Sequence, residues 1–340
     1  MKAAFLTGPG QLSVSETSNA ELRHDTDVLL DVGLVGLCGS DLHYFRTSRI
    51  GNQVVEYPFI IGHECVCTVQ QTGSAVASVR PGDRVVVDPA ISCGKCDQCR
   101  NGRPHTCRHL RFLGCPGQLP GCLAEILCMP EAGCYPIPDR MSAEEAVMIE
   151  PLSIALHAWD FVKSFHPRKI GILGAGPIGL SMLLTARSMG GTQVFTTDKI
   201  PARLDMAKKM GADWTANPGE TDPVDAASFE ADAVFECCGQ QDAVLQGVRL
   251  LKPGGHLVVV GIPEEDDIRM PIHEMRRKEI CLHNVRRQNG QMQKAIELAL
   301  KELPKLRQMV THCYGLHQIQ EAFEKTAAYA DGVVKAVAAP

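Results

Sequence analysis

Four closely spaced cysteines, Cys93-x2-Cys96-x2-Cys99-x7-Cys107, constrain the fold of this 340-residue chain more than any other feature. Four thiolates can complete a tetrahedral sphere around one Zn²⁺, and the short spacings are typical of a zinc knuckle. Disulfides are a poor alternative, because cysteines separated by two residues rarely reach disulfide geometry. The pattern therefore predicts a structural zinc lobe, which is closed to chemistry because sulfur fills all four ligand positions.

The composition excludes several function classes. A net charge of −5 and the absence of any Lys/Arg-rich block leave no basic surface for nucleic acid. The first residues lack the apolar region of a signal peptide, and fifteen cysteines suit a reducing compartment. The longest uncharged stretch, Ile170 to Ala186, is shorter than a membrane span and is interrupted by four glycines and Pro177. We therefore expect a cytoplasmic protein that binds neither nucleic acid nor membrane.

The first part of the chain is predicted to be mostly β, because short β-type segments alternate with Gly and Pro turns. Its predicted strands are Val28–Leu34, Glu64–Gln71 and Arg84–Val87. Helical composition begins at Ala143–Ile149 and continues in Ser153–Phe161. A chain of this length is also expected to form two domains.

From Lys169 onward, predicted strands alternate with predicted helices. The strands are Lys169–Leu173, Gln193–Thr197, Ala233–Glu236 and His256–Val260, and the helices are Pro177–Met189, Ala202–Met210 and Ala243–Leu251. That alternation indicates an α/β domain with a doubly wound parallel sheet. After about Gln288 the pattern becomes mixed, with the helices Gln291–Lys301 and Ile319–Thr326 and a strand-like tail, Val333–Ala338.

A glycine-rich turn follows the first of these strands and begins a helix. It consists of Gly174, Ala175, Gly176, Pro177, Ile178 and Gly179. The glycines allow a tight turn and a close approach of pyrophosphate to the helix N-terminus. Asp198 ends the next strand, where a carboxylate can hold both adenosine ribose hydroxyls. The pattern favours NAD over NADP, although Lys199 and Arg203 are cations that can tolerate a 2′-phosphate.

A second set of metal-binding residue types is spread along the first part of the chain: Cys38, His63, Glu64 and Glu150. Three protein ligands and one open position are the arrangement of a catalytic zinc site. The spacing alone is a weak signal, because a lone cysteine or histidine is more often simply packed in the protein interior, so both interpretations stay open from the residues themselves.

Together these segments resemble the zinc-dependent medium-chain dehydrogenases. The matching segments, which follow the family order along essentially the whole chain, are Gly36-Leu37-Cys38-Gly39-Ser40-Asp41-Leu42-His43, Gly62-His63-Glu64, the four-cysteine lobe, Glu150-Pro151-Leu152-Ser153 and the glycine turn. Within the family, the polyol (sorbitol, xylitol) dehydrogenases are the most similar branch, and the L-threonine dehydrogenases are near relatives. Glu150 stands where simple alcohol dehydrogenases have cysteine.

The resemblance implies a particular domain arrangement and metal site. Residues 1–150 and 288–340 would form a GroES-like, mostly β catalytic domain, and residues 151–287 a Rossmann NAD-binding domain. Cys38, His63 and Glu64 would bind a catalytic zinc with water in the fourth position. Glu150 would lie beside that water or exchange with Glu64 as ligand. Homodimers or homotetramers are also implied.

The implied reaction is hydride transfer from a secondary hydroxyl to NAD. Ser40 and His43 would carry the released proton outward, and Asp41 would orient His63. Substrate contacts would come from Tyr44, Phe112 and either Arg286 or Arg287. Arg46 and Arg49 also allow a phosphorylated or acidic polyol as substrate.

Several functions remain open at this stage. The leading prediction is a zinc- and NAD-dependent polyol dehydrogenase. L-Threonine 3-dehydrogenase and a dehydrogenase of a sugar acid, cyclitol or sugar phosphate are alternatives. A non-catalytic NAD-binding protein on the same fold is a further alternative, because fold does not guarantee chemistry.

Overall fold

The computed structural model describes residues 1–227 and 229–340. The chain forms two compact units: unit 1 contains residues 1–150 and 295–340, and unit 2 contains residues 151–294. The C-terminal segment therefore returns to the unit formed by the N-terminal segment.

The strands, in chain order, are β1 (Lys2–Gly8), β2 (Gln11–Glu16), β3 (Asp27–Gly36), β4 (Arg49–Ile50), β5 (Gln53–Val54), β6 (Phe59–Ile60), β7 (Glu64–Thr72), β8 (Arg84–Val87), β9 (Ala90–Ile91), β10 (Arg111–Phe112), β11 (Ile126–Pro130), β12 (Cys134–Pro136), β13 (Lys169–Leu173), β14 (Gln193–Thr197), β15 (Trp214–Ala216), β16 (Ala231–Glu236), β17 (Leu251–Val259), β18 (Cys281–Asn284), β19 (Val310–Gly315) and β20 (Lys335–Ala339). The helices are α1 (Gly39–Thr47), α2 (Asp97–Arg100), α3 (Ala143–Ala146), α4 (Ile149–Asp160), α5 (Pro177–Ser188), α6 (Pro201–Met210), α7 (Pro223–Ala226), α8 (Gln241–Leu250), α9 (Ile272–Arg277), α10 (Met292–Met309) and α11 (Ile319–Ala327).

Unit 1 is built around a mostly antiparallel sheet with the order β12-β8-β7-β3-β20-β19, in which β11 also pairs with β3. Most of the side chains of β3 and β7 are buried, and apolar residues of both strands, such as Leu30 and Val69, belong to one cluster with Ile61 and Phe323. The tail strand β20 pairs antiparallel with β3, with Val337 opposite Gly36. The C-terminal strand is therefore inserted into this sheet between β3 and β19.

Unit 2 contains a six-stranded sheet with the order β15-β14-β13-β16-β17-β18, and each neighbouring pair is parallel. The central strand β13 is apolar and buried over Ile170–Leu173, as expected for a parallel strand covered on both faces. The strand order reverses between β13 and β16, and α/β sheets bind ligands at such a switch point, outside the carboxyl ends of the strands.

The predicted fold class is confirmed: one unit has a doubly wound parallel sheet and the other is mostly β. The bounds predicted for β8, β13 and β14 agree with the structure, whereas β17 begins at Leu251, earlier than predicted, and α10 extends beyond Lys301 to Met309. A kink at Glu302, whose φ is −124°, allows α10 to pass Pro304. Among the described residues, no helix is both long and apolar enough to cross a bilayer.

Candidate active site

The four cysteines of the predicted lobe are brought together around the short helix α2. The Sγ atoms lie 3.6 Å apart for Cys96 and Cys99, 3.8 Å for Cys96 and Cys107, and 4.0 Å for Cys93 and Cys99. Sulfurs bound about 2.3 Å from one tetrahedral zinc lie about 3.8 Å from each other, so this arrangement fits the ion. It does not fit a disulfide, whose sulfurs are about 2 Å apart.

Backbone N–H groups support thiolate character in this lobe. The Cys93 and His109 N–H groups each donate to Cys107 Sγ at 3.3 Å. Backbone N–H groups of Cys99 and Arg108 lower the pKa of Cys96 to about 6. The pKa of Cys93 is also lowered, whereas desolvation and the neighbouring thiols of Cys96 and Cys107 raise the pKa of Cys99 to about 11. The geometry of the four sulfurs therefore carries the assignment of a structural zinc site.

The second predicted set also comes together. Ligand atoms of Cys38, His63 and Glu64 all lie within 4.8 Å of one another, with His63 and Glu64 buried and Cys38 half-buried. Cys38 immediately precedes α1, and Glu64 is the first residue of β7. One sulfur, one nitrogen and one carboxylate oxygen form a donor set typical of a catalytic zinc site with an open position.

Asp41 holds two of these ligands in place. Its Oδ2 accepts the backbone N–H of Cys38 at 3.1 Å, and its Oδ1 accepts that of Gly62 at 3.2 Å. Asp41 Oδ1 also lies 3.4 Å from His63 Nδ1, which leaves Nε2 of that ring for a metal. Burial lowers the pKa of His63, but the charges of Asp41 and Cys38 raise it by more, so the pKa lies well above its ordinary value.

Lys335 is a charged residue of this site that sequence reasoning did not identify. Its Nζ donates to Glu64 Oε2 and, at 3.1 Å, to the carbonyl oxygen of Leu37, and its side chain is 1% exposed. Burial lowers the pKa of Lys335, but the charges of Glu64 and Cys38 raise it by more, so the net shift is upward. A buried ammonium therefore faces one oxygen of a candidate zinc ligand.

The contact between Glu64 and Lys335 depends on a glycine. Gly36 lies opposite Glu64 in β7, and β20 lies on the other side of β3. A Cβ on Gly36 would overlap Glu64 Oε2 and would lie 2.8 Å from Lys335 Cε. The missing side chain therefore creates the space in which the two charges meet.

Glu150 lies at the start of α4 and is also buried. Burial raises its pKa to about 8, with His63 and Lys335 opposing the shift and Glu64 adding to it. Glu150 is thus close enough to His63, Glu64 and Lys335 for their charges to influence its pKa. Its carboxyl group can hold a proton near neutral pH, which makes it suitable for binding hydroxyl groups.

The two predicted relay residues lie on α1. Ser40 and His43 are three residues apart on this helix, so their side chains share one face. Both are half-buried. Ser40 follows Cys38 by two residues, which keeps the start of this face next to the candidate metal site.

The predicted substrate contacts have different surroundings. Phe112 packs against the imidazole of His63, with ring centroids 5.4 Å apart. Tyr44 is buried, and its hydroxyl donates to Gln53 Oε1 at 3.3 Å and lies 3.9 Å from Cys115 Sγ. Arg286 and Arg287 belong to unit 2, directly after β18, and Arg287 has a positive φ of 56°.

The glycine turn has the geometry predicted for pyrophosphate binding. It connects β13 to α5, and Gly174 has a positive φ of 100°, which favours glycine. A Cβ on Gly179 would overlap the carbonyl oxygen of Gly174, so the third glycine allows the helix to meet the turn. Pro177 is the first residue of α5, a position where no backbone N–H is needed.

The acidic residue at the end of the next strand also lies at this turn. Asp198 Oδ2 accepts the backbone N–H of Ala175 at 2.8 Å, and Oδ1 accepts that of Ile200 at 2.9 Å. Arg203 Nη1 lies 4.0 Å from Asp198 Oδ2, and it would lie 3.4 Å from a Cβ on Gly176. Turn, helix N-terminus and carboxylate fit the phosphates and the adenosine ribose of a dinucleotide.

Comparisons with known proteins identify the family of the chain. The family model for the alcohol dehydrogenase GroES-like domain matches residues 24–139, and the model for zinc-binding dehydrogenases matches residues 177–301. The chain is 34% identical to sorbitol dehydrogenase of Bacillus subtilis (strain 168), over 100% of this chain and 97% of that protein.

Solved structures have the same fold. One is a Sinorhizobium meliloti 1021 protein classed as a zinc-binding dehydrogenase and bound to NADP, at 29% identity and a TM-score of 0.90, covering 100% of this chain and 99% of that one. Another is an alcohol dehydrogenase from Escherichia coli CFT073 in complex with NADH, at 27% identity and a TM-score of 0.90, with the same coverage. On its sequence and its site geometry, the chain belongs to the zinc-dependent medium-chain dehydrogenase family.

Proposed function

We propose that this dehydrogenase oxidises a secondary hydroxyl of a sorbitol- or xylitol-like polyol with NAD as hydride acceptor. The observation that carries the proposal is the buried Cys38, His63 and Glu64 donor set with the carboxyl group of Glu150 beside it. A second hydroxyl-binding group next to a catalytic metal site suits a substrate with several adjacent hydroxyls.

The chain's own residues bind and orient the reactants and move the proton. When bound, zinc supplies Lewis acidity toward the reacting hydroxyl, and the nicotinamide supplies the hydride acceptor. Cys38, His63 and Glu64 hold the metal, and Asp41 fixes the ring of His63.

The released proton requires a route out of a largely buried site. In our proposal, the Ser40 hydroxyl accepts it first and passes it along α1 to the imidazole of His43. The shared helix face of the two residues supports this order. Glu150 accepts a hydrogen bond from a hydroxyl next to the reacting one, which orients the carbon that loses hydride.

We propose NAD in preference to NADP. Support comes from Asp198, whose carboxylate lies at the glycine turn and would repel a 2′-phosphate. Arg203, which lies close to that carboxylate, is a cation that can tolerate a 2′-phosphate, and one similar solved structure holds NADP. The preference for NAD over NADP is therefore tested directly. The test measures kcat/KM with NAD and with NADP for the parent and for Asp198→Ala. The substitution should lower the ratio of kcat/KM for NAD to kcat/KM for NADP.

A phosphorylated substrate receives less support from the structure than a neutral polyol. The Arg46 guanidinium donates to the carbonyl oxygen of Ala327 and lies 5.7 Å from the centroid of the Tyr329 ring. These contacts direct Arg46 toward the segment after α11. L-Threonine is retained as an alternative substrate because the same ligand set would serve it.

A cytoplasmic location and a homo-oligomeric assembly are further parts of the proposal. None of the fifteen cysteines, all of which the structure describes, forms a disulfide, which is the expected state in a reducing compartment. Sedimentation of the zinc-loaded protein would give the assembly state directly, with a dimer or tetramer expected.

The experiment that tests the proposal follows NADH formation from NAD⁺ with sorbitol, xylitol, galactitol, a polyol phosphate, L-threonine and a simple secondary alcohol. Zinc is measured per chain before and after chelation, and two ions are expected. Chelator-sensitive oxidation of a polyol would support the proposal. Turnover of L-threonine alone would replace it with the second candidate, and turnover that survives complete zinc removal would contradict the metal-dependent mechanism.

A further inference from the structure

Glu236 is a buried acid that the proposed chemistry does not use. It is the last residue of β16 and has no exposed surface. Its Oε1 accepts the backbone N–H groups of Cys238, at 2.8 Å, and Gly239, at 2.6 Å. Its main-chain oxygen accepts those of Val260, at 2.8 Å, and Gly261, at 3.0 Å. One residue thus organises the loops that follow two neighbouring strands, β16 and β17.

The two loops, residues 237–239 and 260–262, are closely packed against each other. A Cβ on Gly261 would lie 2.7 Å from Glu236 Oε2 and would overlap the backbone nitrogen of Gly239. Gly239 itself has a φ of 68°, and a Cβ there would overlap the carbonyl oxygen of Ile262. The carboxylate of Glu236 is therefore packed between two glycines, and a small change at any of the three residues would move both loops.

The arrangement carries an energetic cost. Within the part of the chain that the structure describes, Glu236 Oε2 has no hydrogen-bond partner. A buried polar atom without a partner destabilises the folded state. An apolar side chain would avoid that cost, but it would leave the N–H groups of Cys238 and Gly239 without their acceptor.

The topology shows which part of a dinucleotide the loops would face. The pyrophosphate site is the turn after β13, and Asp198, at the adenosine ribose position, follows β14. In the sheet order, β16 and β17 lie on the opposite side of β13 from β14. A dinucleotide bound across the switch point therefore extends its nicotinamide half over the carboxyl ends of β16 and β17.

The loop after β16 also contacts the glycine turn. A Cβ on Gly174 would lie 2.9 Å from Cys238 Cβ and 3.3 Å from the Cys238 nitrogen, whose hydrogen is bound by Glu236. The Cys237 N–H donates to the carbonyl oxygen of Leu173 at 2.8 Å. The position of this loop is thus coupled both to the carboxylate and to the phosphate-binding turn.

We propose that Glu236 is a positioning residue for the nicotinamide half of the bound dinucleotide, acting through the loops 237–239 and 260–262. The inference rests on the proposed function only in taking a nicotinamide dinucleotide as the ligand. Glu236 sets the backbone walls against which the nicotinamide ribose and ring are placed. The adenosine half is held mainly at Asp198 and the N-terminus of α5, to which Glu236 makes no hydrogen bond in the described part of the chain.

The test compares two ligands by isothermal titration calorimetry: NADH, which occupies both halves of the site, and AMP, which occupies only the adenosine half. For Glu236→Ala, we expect the Kd for NADH to rise by about tenfold or more, and the Kd for AMP to change by less than about twofold. Glu236→Gln keeps an acceptor for the N–H groups of Cys238 and Gly239, so it should stay within about threefold of the parent for NADH.

Two glycine variants test the same inference while leaving Glu236 in place. Gly261→Ala should weaken NADH binding in the same selective way, because the new methyl group displaces Glu236 Oε2. Gly219→Ala is the control in the same unit, since its Cβ would approach no atom closer than 3.3 Å. AMP binding also reports that unit 2 is folded in each variant.

Equal losses of NADH and AMP affinity, or unchanged NADH affinity in both Glu236→Ala and Gly261→Ala, would overturn the inference and leave the proposed function intact. A parent enzyme that binds AMP but not NADH would instead overturn the proposed function.

Discussion

The buried pair of Lys335 and Glu64 leads to a quantitative prediction for Lys335→Met. Methionine keeps a long unbranched side chain but removes the charge and the donors. The substitution leaves the Glu64 carboxylate without its cation and the Leu37 carbonyl without its donor, in a place where both paired side chains are 1% exposed. Because both side chains are buried, bulk water cannot replace the lost partner as it does for a surface ion pair.

The size of the effect follows from the burial. Two charges about 3 Å apart attract each other by about 5–6 kcal/mol at an effective dielectric constant of about 20. Removing one partner of a buried pair costs about 3–5 kcal/mol in measured cases, so we expect that loss in the free energy of unfolding of the metal-free protein. The zinc-loaded protein should lose less, because the bound dication also compensates Glu64. A thermodynamic cycle then requires Lys335→Met to bind the catalytic zinc more tightly than the parent does.

The assay is urea unfolding followed by circular dichroism, with and without zinc, for Lys335→Met, Glu64→Gln and the double variant. In the metal-free protein, the double variant should lose less than the sum of the single variants, because each single change removes the same interaction. The matched control is Lys163→Met, which removes a 2.8 Å ion pair to Asp160 from a lysine that is 59% exposed. It should cost less than about 1 kcal/mol.

Two results would refute this reasoning. Strict additivity in the metal-free protein would mean that Lys335 and Glu64 do not stabilise the fold through each other. Equal losses with and without zinc would mean that the ion pair is independent of the metal site.

Further predictions concern the relay, the lobe and the pH dependence of stability. Ser40→Ala should lower kcat far more than it lowers zinc content per chain, and unchanged turnover would exclude Ser40 from the relay. Cys96→Ser should remove one zinc and lower stability or assembly while the catalytic zinc remains, which metal analysis and thermal unfolding would measure; loss of both ions would contradict independent sites. Burial raises the pKa of Asp232, but hydrogen bonds from Lys252 and from two backbone N–H groups lower it by more. Asp232 therefore contributes to the free energy of unfolding above the pKa of the unfolded carboxyl, about 4, and this contribution is lost as the pH falls below that value. In Asp232→Asn, the free energy of unfolding should consequently fall less steeply at acid pH, which urea unfolding at a series of pH values would measure.

The sequence was sufficient where a local pattern determines structure. The parallel strands β13 and β14 are short apolar segments bounded by turn residues, and their predicted bounds agree with the structure. The glycine turn and the four-cysteine lobe are similarly local, since their spacing alone places the relevant atoms together. The bounds were less accurate where tertiary context decides, as in α10, which continues through a kink past Pro304.

The residues that sequence reasoning did not identify depend on contacts distant in the chain or on backbone geometry. Lys335 lies in an apolar tail, where a lysine is expected to be exposed at the end of a strand, yet its side chain is almost fully buried. In the sequence, Glu236 is simply a polar residue at the end of a predicted strand. Its hydrogen bonds to two loops cannot be predicted from the sequence, because residues 260 and 261 are distant from it in the chain. A signal was available for Lys335: it is the single charged residue of the apolar strand β20 and lies two residues from Val337, on the same face.

The ion pair of Glu64 and Lys335 is therefore the product of three adjacent strands. Glu64 comes from β7, the open space comes from Gly36 in β3, and the cation comes from Lys335 in β20. The sheet order β7-β3-β20 places a glycine between an acid and a lysine that are far apart in the sequence. Gly36→Ala would consequently separate these charges without altering either one, whereas Gly33→Ala in the same strand would approach only the Val66 carbonyl oxygen, at 3.4 Å. If the charge balance of the site depends on this juxtaposition, Gly36→Ala must change zinc affinity and stability in the same direction as Lys335→Met, and Gly33→Ala must change neither.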